Sequence, residues 1–140
     1  AMILTDREKM IVTPTFHVFE LFKVHQGATS LPVELTTPGY TVGANTIDAV
    51  SVSASRDAAG KIHVSLVNTD LNRAIRVEGR LASVAAKSVS GRILTAPAIT
   101  AHNTFASPEA VKPAAFTGAA LTGGTLTVTL PAKSIVMLEL

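Results

Sequence analysis

The sequence predicts a mostly β protein, an antiparallel β-sandwich preceded by one strand and one helix. From Val50 onward apolar residues alternate with polar ones at a period of two, the signature of half-buried strands. Turn-forming Gly, Pro, Asn and Asp interrupt that alternation about every ten residues, the spacing of a sandwich or barrel. A helical period occurs once, between Thr13 and Gln26. The chain has 140 residues, which is one domain's length. A chain of that size buries roughly two thirds of the surface its unfolded form exposes, so a core forms without disulfides.

The first segment, Ala1-Met2-Ile3-Leu4-Thr5-Asp6, starts inside an apolar stretch without the charged region and cleavage site of a signal peptide, and reads as a strand whose chain has been cut. In the helix, Thr13 caps, Pro14 suits the first turn and Gly27 terminates. Its apolar face is expected to hold Phe16, Phe19, Leu21 or Phe22, and Val24, with Glu20 and Lys23 turned away. From Thr29 to Gly39, Pro32 and Pro38 among small polar residues mark an extended connection.

Val50, Val52 and Ala54 alternate with serines up to the turn Asp57-Ala58-Ala59-Gly60. Ile62, Val64 and Leu66 then alternate with His63 and Ser65, completing an antiparallel pair. After Asp70-Leu71-Asn72-Arg73 turns the chain, Ile75, Val77 and Leu81 point one way and Arg76, Glu78 and Arg80 the other, giving one wet face. Lys87 to Thr95 carries Val89, Ile93 and Leu94 around Gly91, which suits a bulge or bend. Residues Ala96 to Ala115, with Pro97, Pro108 and Pro113, form a loop long enough to lie over a sheet face or edge. Gly123-Gly124 precedes Leu126, Val128 and Leu130, and Pro131-Ala132-Lys133-Ser134 turns the chain into Ile135 to Leu140. The expected total is roughly six to eight strands. No repeat at a fixed period suggests a propeller or solenoid.

Composition excludes several chemistries. Without Cys there is no disulfide, thiolate zinc site or cysteine nucleophile, and a reducing, cytoplasmic location fits. Twelve Lys and Arg against ten Asp and Glu, scattered along the chain, make no stripe for nucleic acid. No apolar run approaches the roughly 20 residues of a membrane span. His17 and His25 are too far apart on the helix to share a metal, His63 falls on the outer face of its strand, and His102 beside Asn103 lies in the long loop. Asp6, Glu8, Glu20, Glu34, Glu78, Glu109 and Glu139 sit on different elements, so the opposed carboxylates of a glycosidase are missing. No serine lies in a Gly-X-Ser-X-Gly elbow, and no glycine run opens a helix to cradle phosphate. A sugar-binding module would need aromatic platforms. Only Tyr40 and five Phe are available, and Phe105 and Phe116 flank the long loop as covers for a sheet. The expectation is therefore no catalytic residue, no cofactor-binding residue and no metal site.

The residues do carry a resemblance. Ala1 to Asp6, Glu8-Lys9-Met10, Thr13-Pro14-Thr15-Phe16-His17-Val18-Phe19 and Lys23-Val24-His25-Gln26 closely resemble the end of the catalytic barrel in α-L-arabinofuranosidases of glycoside hydrolase family 51. Leu66-Val67-Asn68-Thr69-Asp70, Gly91-Arg92-Ile93-Leu94-Thr95, Ala101-His102-Asn103-Thr104-Phe105, Val111-Lys112-Pro113, Leu130 to Ser134 and Leu138-Glu139-Leu140 look like that family's C-terminal domain. Arg7 departs from it, standing where many relatives have Gly.

The resemblance implies a retaining hydrolase in two parts, a (β/α)8 barrel that carries both catalytic glutamates and a C-terminal sandwich of jelly-roll type. On that reading residues 1–28 are the last strand and helix of the barrel, 29–39 the connection and 40–140 the sandwich. Both glutamates would lie upstream of Ala1, leaving this chain non-catalytic alone. Its implied partner is the catalytic barrel of the same parent, with a homo-oligomer through the exposed helix also open. A free-standing carbohydrate-binding or protein-interaction module is the alternative.

Overall fold

The computed structural model describes residues 1–82 and 86–140. The chain opens with a hairpin, β1 (Ile3–Asp6) against β2 (Lys9–Val12), in the register Asp6↔Lys9. Its turn places Arg7 at φ +54°, the left-handed region where Gly is preferred, so the departure noted above falls at the residue that carries the strain. The hairpin forms a separate two-stranded sheet, because Lys9-Met10-Ile11-Val12 supplies a second strand directly after the turn.

Helix α1 runs Pro14–Phe22 and tightens into a 3₁₀ turn at Lys23–His25, with Gly27 at φ +70° ending it. Thr13 does not cap with its side chain; its hydroxyl donates to the carbonyls of Ala1 and Met2, fastening the helix start to the hairpin.

The connection after the helix begins with β3 (Thr29–Leu31), which already pairs with β6 (Val50–Arg56), and ends in an exposed hairpin, β4 (Gly39–Val42) and β5 (Asn45–Asp48). The remaining strands are β6 (Val50–Arg56), β7 (Ile62–Asn68), β8 (Ile75–Arg80), β9 (Ser90–Leu94), β10 (Ala114–Ala115), β11 (Ala119–Thr122), β12 (Thr125–Leu130) and β13 (Ser134–Glu139). The thirteen strands of the described residues exceed the expected number because β1 to β5, β10 and β11 have four residues or fewer, too short for alternation to register.

A six-stranded antiparallel sheet in the order β10-β9-β13-β7-β6-β3 packs on a three-stranded one, β11-β12-β8. Ile62, Val64 and Leu66 of β7, with Val136 and Leu138 of β13, point inward and meet Ile75, Leu126, Val128 and Leu130 of the smaller sheet. The expected wet face of β8 is present: Arg76, Glu78 and Arg80 are exposed.

The other face of the large sheet is not wet. Leu21 of α1, Leu94 of β9, Met137 of β13 and Val111 of the long loop form a second buried cluster, flanked by Val18, Phe22 and Ile135. The helix is thus a third layer, and the inward stripe is Val18, Leu21, Phe22 and His25, at i, i+3, i+4 and i+7. Phe19, expected on that face, is 63% exposed. His63, expected on the outer face of its strand, lies there but is 5% exposed and bonded to Asp57, because α1 and its 3₁₀ turn cover that side of β7.

Gly91 makes no bulge; the β9–β13 register passes through it unbroken at Leu138↔Gly91. Its role is space, since a Cβ there would stand 2.7 Å from Leu138 Cδ2 and 3.2 Å from Phe116 Cδ1. The long loop does lie over the sheet, and Asn103 anchors it. The Asn103 amide donates to the carbonyls of Val12 and Val111, each at 3.0 Å, and its oxygen accepts from the Val111 N–H at 2.7 Å.

Candidate functional site

The densest group of titratable and hydroxyl side chains lies where the end of α1 meets β6 and β7. Alternation aims Ser53 and Ser55 of β6, and His63 and Ser65 of β7, toward the helix, and the 3₁₀ turn lowers His25 onto them. His25 Nδ1 is 2.7 Å from Ser55 Oγ, and Nε2 is 3.1 Å from Ser65 Oγ. Ser65 in turn donates to the Ser53 carbonyl at 3.4 Å. Each ring nitrogen of His25 thus holds one serine hydroxyl, a group that can accept from a ring N–H or donate to a bare ring nitrogen.

Beside it, His63 Nε2 donates to Asp57 Oδ2 at 3.0 Å. Asp57 Oδ1 accepts from the backbone N–H groups of Ala59 and Lys61 and shapes the β6–β7 turn. The His63 hydrogen bond, helped by those two N–H groups, holds the Asp57 carboxyl below its ordinary value. Lys61 Nζ reaches Glu139 Oε1 at 2.7 Å, which raises the lysine. Arg92 Nη1 of β9 donates to Glu20 Oε1 of α1, whose other oxygen accepts from His17; the His17 bond, then Arg92, keep the Glu20 carboxyl low against the opposing effect of burial. A cleft of about 230 Å³ opens here, lined by Glu20, Lys23, His63, Arg92 and Glu139.

The residues resemble parts of a hydrolytic triad, but their connections do not make one. The serines on His25 are 3% and 2% exposed and cannot reach a substrate. The acid bonds the other histidine, so no nucleophile, base and acid run in series. Burial, and then the neighbouring His63, push the His25 ring below its ordinary value, favouring the neutral imidazole.

The other sequence candidates are dispersed. His102 is exposed and bonds the Thr100 carbonyl, while its neighbour Asn103 is structural. Phe105 is 38% exposed and Tyr40 packs at the edge of the main core. Sequence reasoning missed Asp70, which is 1% exposed. Its carboxylate accepts from the N–H groups of Asn72 and Arg73 and from Arg73 Nε at 2.6 Å. The Asn68 amide beside it donates to the carbonyls of Arg73 and Pro131, joining the turn after β7 to the turn before β13. The Asx-turn pattern of Asp70-Leu71-Asn72-Arg73 was the available signal. Among the described residues, no three His, Asp or Glu side chains gather to hold a metal, and no helix is long and apolar enough to cross a membrane.

The family model of the α-L-arabinofuranosidase C-terminal domain matches residues 1–134. An intracellular exo-α-L-arabinofuranosidase of Bacteroides ovatus is 46% identical over 141 aligned positions, covering 100% of this chain and 27% of that protein. The crystal structure of the family 51 arabinofuranosidase of Xanthomonas axonopodis pv. citri superposes with a TM-score of 0.97 at 47% identity, over 99% of this chain and 28% of that one. The enzyme of Thermotoga maritima, in its arabinose complex, shares the fold at a TM-score of 0.87 and 22% identity, over 100% of this chain and 31% of that one. The chain therefore spans little more than a quarter of the length of the first two of these relatives. With nearly every residue matched by the family model and the fold superposing end to end, the chain belongs to the α-L-arabinofuranosidase C-terminal domain family.

Proposed function

We propose that the chain is the C-terminal β-sandwich of an α-L-arabinofuranosidase, of jelly-roll type, non-catalytic alone and structural in its parent. The parent would release terminal α-L-arabinofuranosyl groups from arabinoxylan or arabinan with retention, using two glutamates of a (β/α)8 barrel outside this sequence. The observation that carries this is the match of the whole chain to 27% of a named exo-α-L-arabinofuranosidase.

The surface supports the division of labour. In residues 1–28, Met2, Ile3 and Leu4 are about two fifths exposed, Met10 is 65% exposed and Phe19 is 63% exposed, an apolar surface that the barrel of the same parent would cover. Phe19 is also where a second copy would be met through the helix. Residues 29–39 would connect, lending edge strand β3 to the large sheet, and 40–140 would supply the rest of the sandwich. The name of the Bacteroides relative favours a cytoplasmic location.

The purified chain is expected not to cleave an aryl α-L-arabinofuranoside. Turnover that follows the chain through purification and disappears when one of its own acids is changed to Ala would overturn the reading. Micromolar binding of arabino-oligosaccharides in a calorimetric titration, abolished by Tyr40→Ala or Phe105→Ala, would favour the carbohydrate-binding module instead.

A further inference from the structure

Thr13, the residue before α1, fixes the level at which the helix starts. Its N–H donates to the Met2 carbonyl at 2.9 Å, and its hydroxyl donates to the carbonyls of Ala1 and Met2 at 2.9 and 3.1 Å. The helix therefore begins beside Ala1 and Met2, and Ile3 to Val12 are thrown out beyond that level as the paired strands β1 and β2. In a (β/α)8 barrel a helix starts where its strand ends, at the C-terminal face that carries the active site. On the proposed reading of residues 1–28 as the closing unit of the barrel, Ala1 and Met2 are the C-terminal end of its last strand. The hairpin then rises from the catalytic face. Four paired residues at about 3.3 Å each carry the turn about 13 Å beyond the strand ends.

This hairpin is held at its foot and bare at its tip. Ile11 is 6% exposed and the Val12 carbonyl accepts from Asn103. Asp6, Arg7, Glu8 and Lys9 are all exposed and, among the described residues, none of them enters an ion pair. Two acids and two bases leave the tip without net charge but rich in donors and acceptors, which suits the hydroxyls of a neutral sugar better than an ion. Arg7 stands out among the four. Its φ of +54° costs any residue with a Cβ, yet a guanidinium with five donors occupies the apex where many relatives of the resembled family have Gly.

We propose that the β1–β2 hairpin is a wall of the parent's substrate site, and that Arg7 at its tip hydrogen-bonds the sugar chain from which the arabinofuranosyl group is cut. The inference rests on the proposed reading of the parent. The bond is broken at the level of the strand ends, and the tip stands beyond it by more than one sugar ring, so it meets the leaving chain and not the arabinose. Arg7 is thus a specificity residue. It should strengthen binding of a long substrate and leave the chemical step alone.

The test uses the Xanthomonas enzyme with this chain in place of its matching C-terminal part, and compares an arabinoxylan oligosaccharide with an aryl α-L-arabinofuranoside, which has no sugar chain. Arg7→Gly removes the side chain and relieves the backbone at once, so a loss cannot come from strain. KM for the oligosaccharide should rise about tenfold, as for the loss of one charge-assisted hydrogen bond, with kcat and the aryl kinetics within about twofold. Arg80→Ala, an equally exposed cation on β8, should change neither substrate. An unchanged KM in Arg7→Gly, an equal loss on both substrates, or the same selective loss in Arg80→Ala would overturn the assignment. A folded chimera inactive on both substrates before any substitution would instead refute the reading of the parent, and the hairpin's role with it.

Discussion

Replacing Asn103 with Ala removes three hydrogen bonds at once, from a side chain 3% exposed. The substitution strands the N–H and carbonyl of Val111, itself 5% exposed, and the carbonyl of Val12. The Val12 carbonyl lies in partly buried surroundings, where water can replace the amide, so the two Val111 groups dominate the cost. At about 1–3 kcal/mol for each unpaired buried group, the loss should be about 2–6 kcal/mol. For a chain of this length that corresponds to a fall in Tm of roughly 5 to 15 °C. Differential scanning calorimetry reads it directly, with two comparisons. Asn103→Asp keeps an acceptor for the Val111 N–H but turns a second oxygen toward two carbonyls, so at neutral pH it should be no more stable than the Ala variant. His102→Ala, next door but exposed, should cost less than about 0.5 kcal/mol. A loss below about 1 kcal/mol for Asn103→Ala, or an Asp variant as stable as wild type, would refute the view that this side chain fastens the long loop to the hairpin.

The helix should behave as part of the domain: Leu21→Ala, at 2% exposure in the second core, should cost about 2–5 kcal/mol in denaturant unfolding, whereas Phe19→Ser should change stability by less than about 0.5 kcal/mol. Gly91→Ala places a methyl 2.7 Å from Leu138 Cδ2 and should lose about 1–3 kcal/mol in the same experiment. Asp70 is held below its ordinary 3.8 first by the Asn72 N–H, then by Arg73, so its stabilisation is complete above 3.8 and is lost as pH falls through the lowered folded value. Thermal melts from about pH 6 to about pH 2 should therefore show a flatter acid limb for Asp70→Asn than for wild type.

How much of this was legible depended on element length and on which faces were covered. Strands β6, β7, β8, β12 and β13 are six or seven residues long, and their alternation identified them. The start of α1 followed from Thr13-Pro14. The hairpin β1–β2, the two-residue β10 and strand β3 are too short to show a period and are defined by their partners. The outer face of β7 was legible only as polar, without its partners. Ile-His-Val-Ser-Leu-Val-Asn looks like a strand with one wet face, yet His63 and Ser65 are buried with Asp57, His25 and the Ser53 carbonyl as partners. Polar residues that satisfy one another beneath a helix carry the same one-dimensional pattern as polar residues facing water. The same ambiguity placed Phe19 inward: the true stripe included His25, a polar residue that an apolar count leaves out. Asn103 and Asp70 pair almost wholly with backbone, and such pairing leaves little trace in a single sequence.

The claim that this chain is a non-catalytic domain completing an arabinofuranosidase is tested most directly by grafting it in place of the matching 28% of the Xanthomonas enzyme, to which it is 47% identical. Hydrolysis of an aryl α-L-arabinofuranoside is then measured for the chimera and for the chain alone. The account predicts turnover by the chimera within about tenfold of its parent, a difference of about 1.4 kcal/mol in barrier, and none by the chain. A folded chimera without activity, or turnover by the chain itself, would contradict it.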